Sequence, residues 1–151
     1  MKKLLSACIL VLLGSVVASG AEFWELCRNG SFEQVEQAIK AGADVNEVGY
    51  GGVPVLVRAM ENQNPKVAVL LIEHGADVNV TWGKGLTPLM AVTMTYNPLA
   101  YTKMLVEAGA DVNARNEAGQ TVLETVIECG EVYYLAIDYL SRAGARLYSA
   151  Q

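Results

Sequence analysis

Ala41-Gly42-Ala43-Asp44-Val45-Asn46 returns as His74-Gly75-Ala76-Asp77-Val78-Asn79 and again as Ala108-Gly109-Ala110-Asp111-Val112-Asn113. A worn fourth copy stands at Ala143-Gly144-Ala145-Arg146-Leu147-Tyr148. The glycines at 42, 75, 109 and 144 are spaced by 33, 34 and 35 residues. A fixed period of this size means one supersecondary unit stacked on copies of itself. Such stacks work by offering an extended surface and need no catalytic centre. The repetition therefore points to binding and leaves the partner unnamed.

Working outward, the glycines divide the chain into units of about 21–49, 50–82, 83–116 and 117–151. Each later unit opens on a glycine turn and a short motif: Gly51-Gly52-Val53-Pro54-Val55-Leu56, Gly85-Leu86-Thr87-Pro88-Leu89-Met90 and Gly119-Gln120-Thr121-Val122-Leu123-Glu124. Threonine before proline is a good helix opening, because the hydroxyl caps orphan amides and proline's φ suits the first turn. A first helix is predicted in each unit, for example from Pro88 to about Thr95. Second helices are predicted from Asn64-Pro65 and Asn97-Pro98, each an asparagine cap followed by proline. Ser31 with Gln34 three residues on has the pattern of a capping box. The hexapeptide glycine should end each second helix in a left-handed conformation.

The helix faces fit a stack. In 31–40, Phe32, Val35, Ala38 and Ile39 make one apolar stripe, which predicts a helix with a single neighbour. Residues 67–72 are apolar on every side, which predicts burial between neighbours. Tyr133, Tyr134, Tyr139 and Tyr148 predict an aromatic closing unit.

Hydrophobic residues make up 52% of the 151, and part of that excess lies before residue 21. Lys2 and Lys3, an apolar run to Val17, and then Ala18-Ser19-Gly20-Ala21 have the order of a secretory signal peptide. Cleavage is expected after Gly20 or Ala21. The apolar run from Leu4 to Ser19, at roughly 1.5 Å per residue, falls short of a ~30 Å hydrocarbon core, which disfavours an anchor. Cys8 lacks a preceding apolar segment and is not read as a lipidation site. The expected location is the periplasm or beyond, with no integral span after cleavage. Losing Lys2 and Lys3 takes the formal charge from −5 to −7. With no Lys/Arg cluster, nucleic acid and anionic membrane are excluded as main partners.

Catalytic chemistry finds no support. The sole histidine, His74, has no convergent partner for metal or acid–base work. Asp44, Asp77 and Asp111 lie one per unit and suit local turn bonding better than a carboxylate row. No phosphate loop, nucleophile elbow or Cys-x-x-Cys pair occurs. No enzyme activity, cofactor or metal is therefore expected. Three stacking steps of roughly 8–10 Å would hold Cys27 and Cys129 too far apart for a disulfide, which needs Cα atoms within about 7 Å. Cys27 is expected as a small core hydrophobe. Cys129, beside Gly130 near a helix end, is the cysteine with a redox or intermolecular role open to it.

The Thr87-Pro88-Leu89-Met90-Ala91 motif and the three Gly-Ala-Asp-Val-Asn copies resemble the ankyrin repeat family over about 130 residues. Methionine stands at the family's histidine position, Val53 replaces the threonine and Val122 the proline. The resemblance implies an all-α solenoid of four helix-turn-helix repeats with hairpin-like fingers. It further implies binding to a protein partner through finger tips and a concave face; a monomer is expected. Val48, Tyr50, Met60, Trp82, Lys84, Leu86, Met94, Thr95 and Arg115 fall at the implied contact positions. Tyr50, Met60, Trp82, Lys84, Leu86, Met94 and Arg115 form the expected partner-binding set, aromatic and methionine residues with a basic pair. A scaffold is the first expectation; a secreted effector or inhibitor masking a target enzyme is the alternative.

Overall fold

The computed structural model describes residues 22–62, 64–129 and 133–147. The expected signal segment, its cleavage site and Tyr148 lie outside them. Among the described residues the elements are seven α-helices and two short 3-10 helices, with isolated antiparallel bridges and no strand. The described residues fall into two compact units, one up to residue 76 and one from residue 77 on.

The first unit holds α1 (Phe23–Asn29), α2 (Phe32–Lys40), α3 (Val55–Glu61) and α4 (Pro65–Glu73), with a 3-10 turn at Tyr50–Gly52. First helix packs on first helix and second on second: α1 lies against α3 and α2 against α4. The core is Phe23, Cys27, Val35, Leu56, Ala59, Met60, Val67 and Leu71 with their neighbours. Asn62 is a buried polar lock. Its Nδ2 donates to the carbonyls of Cys27 and Gly30, both at 3.1 Å, so one side chain satisfies groups left open at the end of α1.

The second unit holds a 3-10 helix (Met90–Met94), α5 (Pro98–Glu107), α6 (Val122–Glu128) and α7 (Tyr134–Arg142). The 3-10 helix packs on α6 and α5 on α7. The α-helix expected over Pro88 to Thr95 is replaced by this 3-10 segment. Val92, Thr93 and Thr95 are β-branched and poor helix formers. The Thr93 and Thr95 hydroxyls also donate to carbonyls three residues back, at 3.4 and 2.7 Å, favouring a tight local turn. Tyr133 braces it, its hydroxyl donating to the Thr93 carbonyl at 2.8 Å.

The expected helix ends are present. Ser31 and Thr121 form capping boxes, and Asn64 and Asn97 accept from backbone amides ahead of their prolines. Gly42, Gly75, Gly109 and Gly144 all take φ between 90° and 94°. Behind each stands the same pair of bonds. At the first, Ala43 N–H donates to Ala38 and Gly42 N–H to Ile39, the Schellman arrangement, and the other three copies repeat it. Residues 67–72 are buried except for Val69, which is 38% exposed, and the half-buried Ile72.

Candidate partner-binding surface

The recurring Asp-Val-Asn starts each finger. Asp44, Asp77 and Asp111 each accept from the amide two residues on, at 2.8–2.9 Å. The asparagine then reaches the following repeat. Asn46 Nδ2 donates to Gly75 O, Asn79 Nδ2 to Gly109 O and Asn113 Nδ2 to Gly144 O, at 3.2–3.3 Å. Asn79 Oδ1 accepts from Asp111 N–H and Asn113 Oδ1 from Arg146 N–H. The shared residues of the fingers are thereby engaged in internal bonds.

Three fingers close through bridges Val48↔Pro54, Trp82↔Leu86 and Arg115↔Thr121. In the first, Tyr50 is 79% and Val48 56% exposed. The Tyr50 ring lies 6.4 Å from that of Trp24, tilted by 31°. The Arg58 guanidinium stacks 5.8 Å from the Trp24 ring centroid, and its Nη2 donates to the Tyr50 carbonyl at 2.9 Å. Glu61 pairs with Arg58 at 3.0 Å and with Arg28 at 2.7 Å. Arg58 Nε is buried with no hydrogen-bond partner among the described residues, a cost the Trp24 stacking offsets in part. Gly49 lies so close that a Cβ there would sit 2.6 Å from Trp24 side-chain carbons. Burial raises the Glu47 carboxyl above its usual 4.5, and nearby Glu22 and Asp44 add to the rise against the lowering effect of the Trp24 backbone N–H.

In the second unit, Lys84 and Arg115 are exposed, while Trp82 and Leu86 are half-buried. The second and third fingers are joined by a backbone bond from Glu117 N–H to Lys84 O at 3.0 Å. Arg115 Nη1 donates to Gly119 O at 3.4 Å.

Two members of the expected set are placed elsewhere. Met60 is fully buried, so it meets no partner: α3 is apolar on nearly every side and Met60 points into the core. Met94 is 72% exposed, but with the half-buried Thr95 it ends the 3-10 helix, in the helix–helix turn beside Tyr96. A first helix starts at its finger and runs away from it, so its last residues lie at the far end. Trp24 and Arg58 were not in the expected set. An arginine inside the apolar run Val55–Met60 was the signal that could have found them.

Cys27 is fully buried, and desolvation, with a smaller effect of Glu47, pushes its thiol up to about 12. Cys129 is a free, exposed thiol donating to Thr125 O at 3.4 Å. His74 Nδ1 is 2.9 Å from Leu70 O, a contact to its own helix. Among the described residues no group of three His, Cys, Asp or Glu side chains is placed to hold a metal ion, and no helix is long and apolar enough to cross a membrane.

Residues 56–149 match the family model for ankyrin repeats, three copies. Over 97 residues, 64% of the chain, it is 33% identical to the BRCA1-associated RING domain protein 1 of Caenorhabditis elegans. Over 56 residues, 37% of the chain, it is 41% identical to the potassium channel AKT1 of Oryza sativa subsp. indica. The chain spans only 14% and 6% of the length of these curated relatives.

Proposed function

The chain belongs to the ankyrin repeat family, whose repeats are general protein–protein interaction modules, and on that premise we propose that it is an exported scaffold binding a protein partner through its fingers. One observation carries the proposal. Residues shared by the fingers are engaged in internal hydrogen bonds, whereas Tyr50, Lys84 and Arg115, which differ between copies, are exposed. A preformed backbone presenting variable side chains binds with little ordering cost. Aromatic and arginine residues are the usual anchors of such contacts.

The test is affinity capture from a periplasmic extract with the chain from residue 22 on, read by mass spectrometry. A partner retained by the wild type should be lost with Tyr50→Ala, Lys84→Ala and Arg115→Ala combined. Retention by that variant means the fingers are not the contact. Capture from culture medium in place of periplasm favours the effector or inhibitor alternative. Export itself is supported by the Lys2-Lys3 start, the apolar run and the small residues at 18–21. Intact mass of the protein recovered from the periplasm should correspond to a start at Ala21 or Glu22. A full-length chain confined to the cytoplasm overturns export.

A further inference from the structure

Resting on the proposed finger surface, we infer that the first finger takes a basic segment of its protein partner, a lysine or arginine side chain seating on the Tyr50 ring. The exposed feature is aromatic: Tyr50 projects beside Trp24, with Val48 exposed at its flank. Its placement is prepared in advance. The Arg58 Nη2 bond holds the Tyr50 carbonyl, and Gly49 lets the finger close onto Trp24. A tyrosine ring so held offers its negative face to a cation.

Charge selects the occupant. Glu22 accepts from the Trp24 indole N–H, and Glu47 feels both Glu22 and Asp44 as like charges. None of these three carboxylates is in an ion pair among the described residues. The nearby cations offset them only in part. Arg58 and Arg28 share one partner, Glu61, which leaves a net charge of −2 over the four carboxylates and two guanidiniums, and Arg58 lies largely buried against the Trp24 ring. An incoming cation therefore meets net negative charge around an exposed ring, whereas an acidic segment meets repulsion.

The test titrates the chain from residue 22 on, N-terminally acetylated so that no α-ammonium sits on Glu22, with two pentapeptides, one carrying three basic residues between glycines and one carrying three acidic residues. Binding is read by calorimetry and by the indole N–H resonance of Trp24. The basic peptide should bind saturably and move the Trp24 resonance, and the acidic one should not. Tyr50→Ala should weaken binding roughly tenfold. Glu22→Gln with Glu47→Gln should weaken it clearly, while Glu36→Gln with Glu73→Gln, equal in charge and placed on α2 and α4, should leave it unchanged. Absence of saturable binding, equal binding of the acidic peptide, or equal loss with the α2/α4 pair overturns the inference. If the basic peptide fails yet Tyr50→Ala still abolishes capture of the natural partner, the finger surface stands and only its preference for a basic segment falls.

Discussion

Asn79 and Asn113 use both ends of their amides on the following repeat, donating to a glycine carbonyl and accepting from an amide two residues beyond it. Alanine at either position leaves both backbone groups to water. Asn79→Ala should therefore cost about 1–2 kcal/mol in chemical denaturation, and a cost near zero would mean these exposed bonds carry no stability. Glu47 gives a pH dependence of definite sign. Its folded carboxyl is raised, so the folded state holds the proton more tightly than the unfolded state. The stability it contributes is present while protonated and is lost as pH rises through the folded value. Glu47→Gln should thus raise the melting temperature at pH 7, and the gain should shrink as pH falls through the raised folded value and be gone below about 4.5, the usual glutamate value. A loss at pH 7 would contradict this. Cys27, with its thiol near 12 and no exposed surface, should resist alkylation in the folded protein at pH 8 while Cys129 reacts. Peptide mapping that finds Cys27 modified would mean α1 detaches from α3. The burial of Cys27 was legible from its place in the first apolar helix. The asparagine partners were not, because they lie 29–31 residues away.

Among the elements, the 3-10 helix at Met90–Met94 is the departure from pattern. Its motif Thr87-Pro88-Leu89 is a good helix opening by sequence, and Thr87 does accept from Met90 N–H at 3.4 Å. An α-helix nonetheless fails to propagate from that opening, because β-branched residues with back-bonding hydroxyls prefer three-residue closure. Amides of 90–95 should exchange with deuterium faster than those of α3, which is regular and buried. Equal protection of the two would show the 3-10 geometry to be as stable as an α-turn. Tyr133→Phe should speed exchange at 93–95 further and cost about 1 kcal/mol, since it removes the bond to Thr93 O. Helix starts and stops were legible because capping chemistry is local. The failure to propagate was not, since propensities of a few tenths of a kcal/mol per residue are readily overridden by packing and side-chain bonds.

For the molecule as a whole, the acidic balance governs how a partner arrives. If the proposed export removes Lys2 and Lys3, the formal charge is near −7, and association with a partner carrying the proposed basic segment should be fast at low salt. Its rate should fall several-fold as ionic strength rises from about 0.05 to 0.3 M, while dissociation changes less. A rate indifferent to salt would argue for an apolar contact alone. The period was legible from glycines 33 to 35 residues apart, and the four glycine stops and the finger starts from residues only a few positions apart, because turns and caps are settled by local backbone sterics and hydrogen bonds. Which side chains face outward could not be had that way. Met60 is buried while Tyr50 projects, and Trp24, Tyr50 and Arg58 assemble from positions up to 34 residues apart. Exposure and side-chain clustering depend on which helices pack together, and packing exists only in the folded chain.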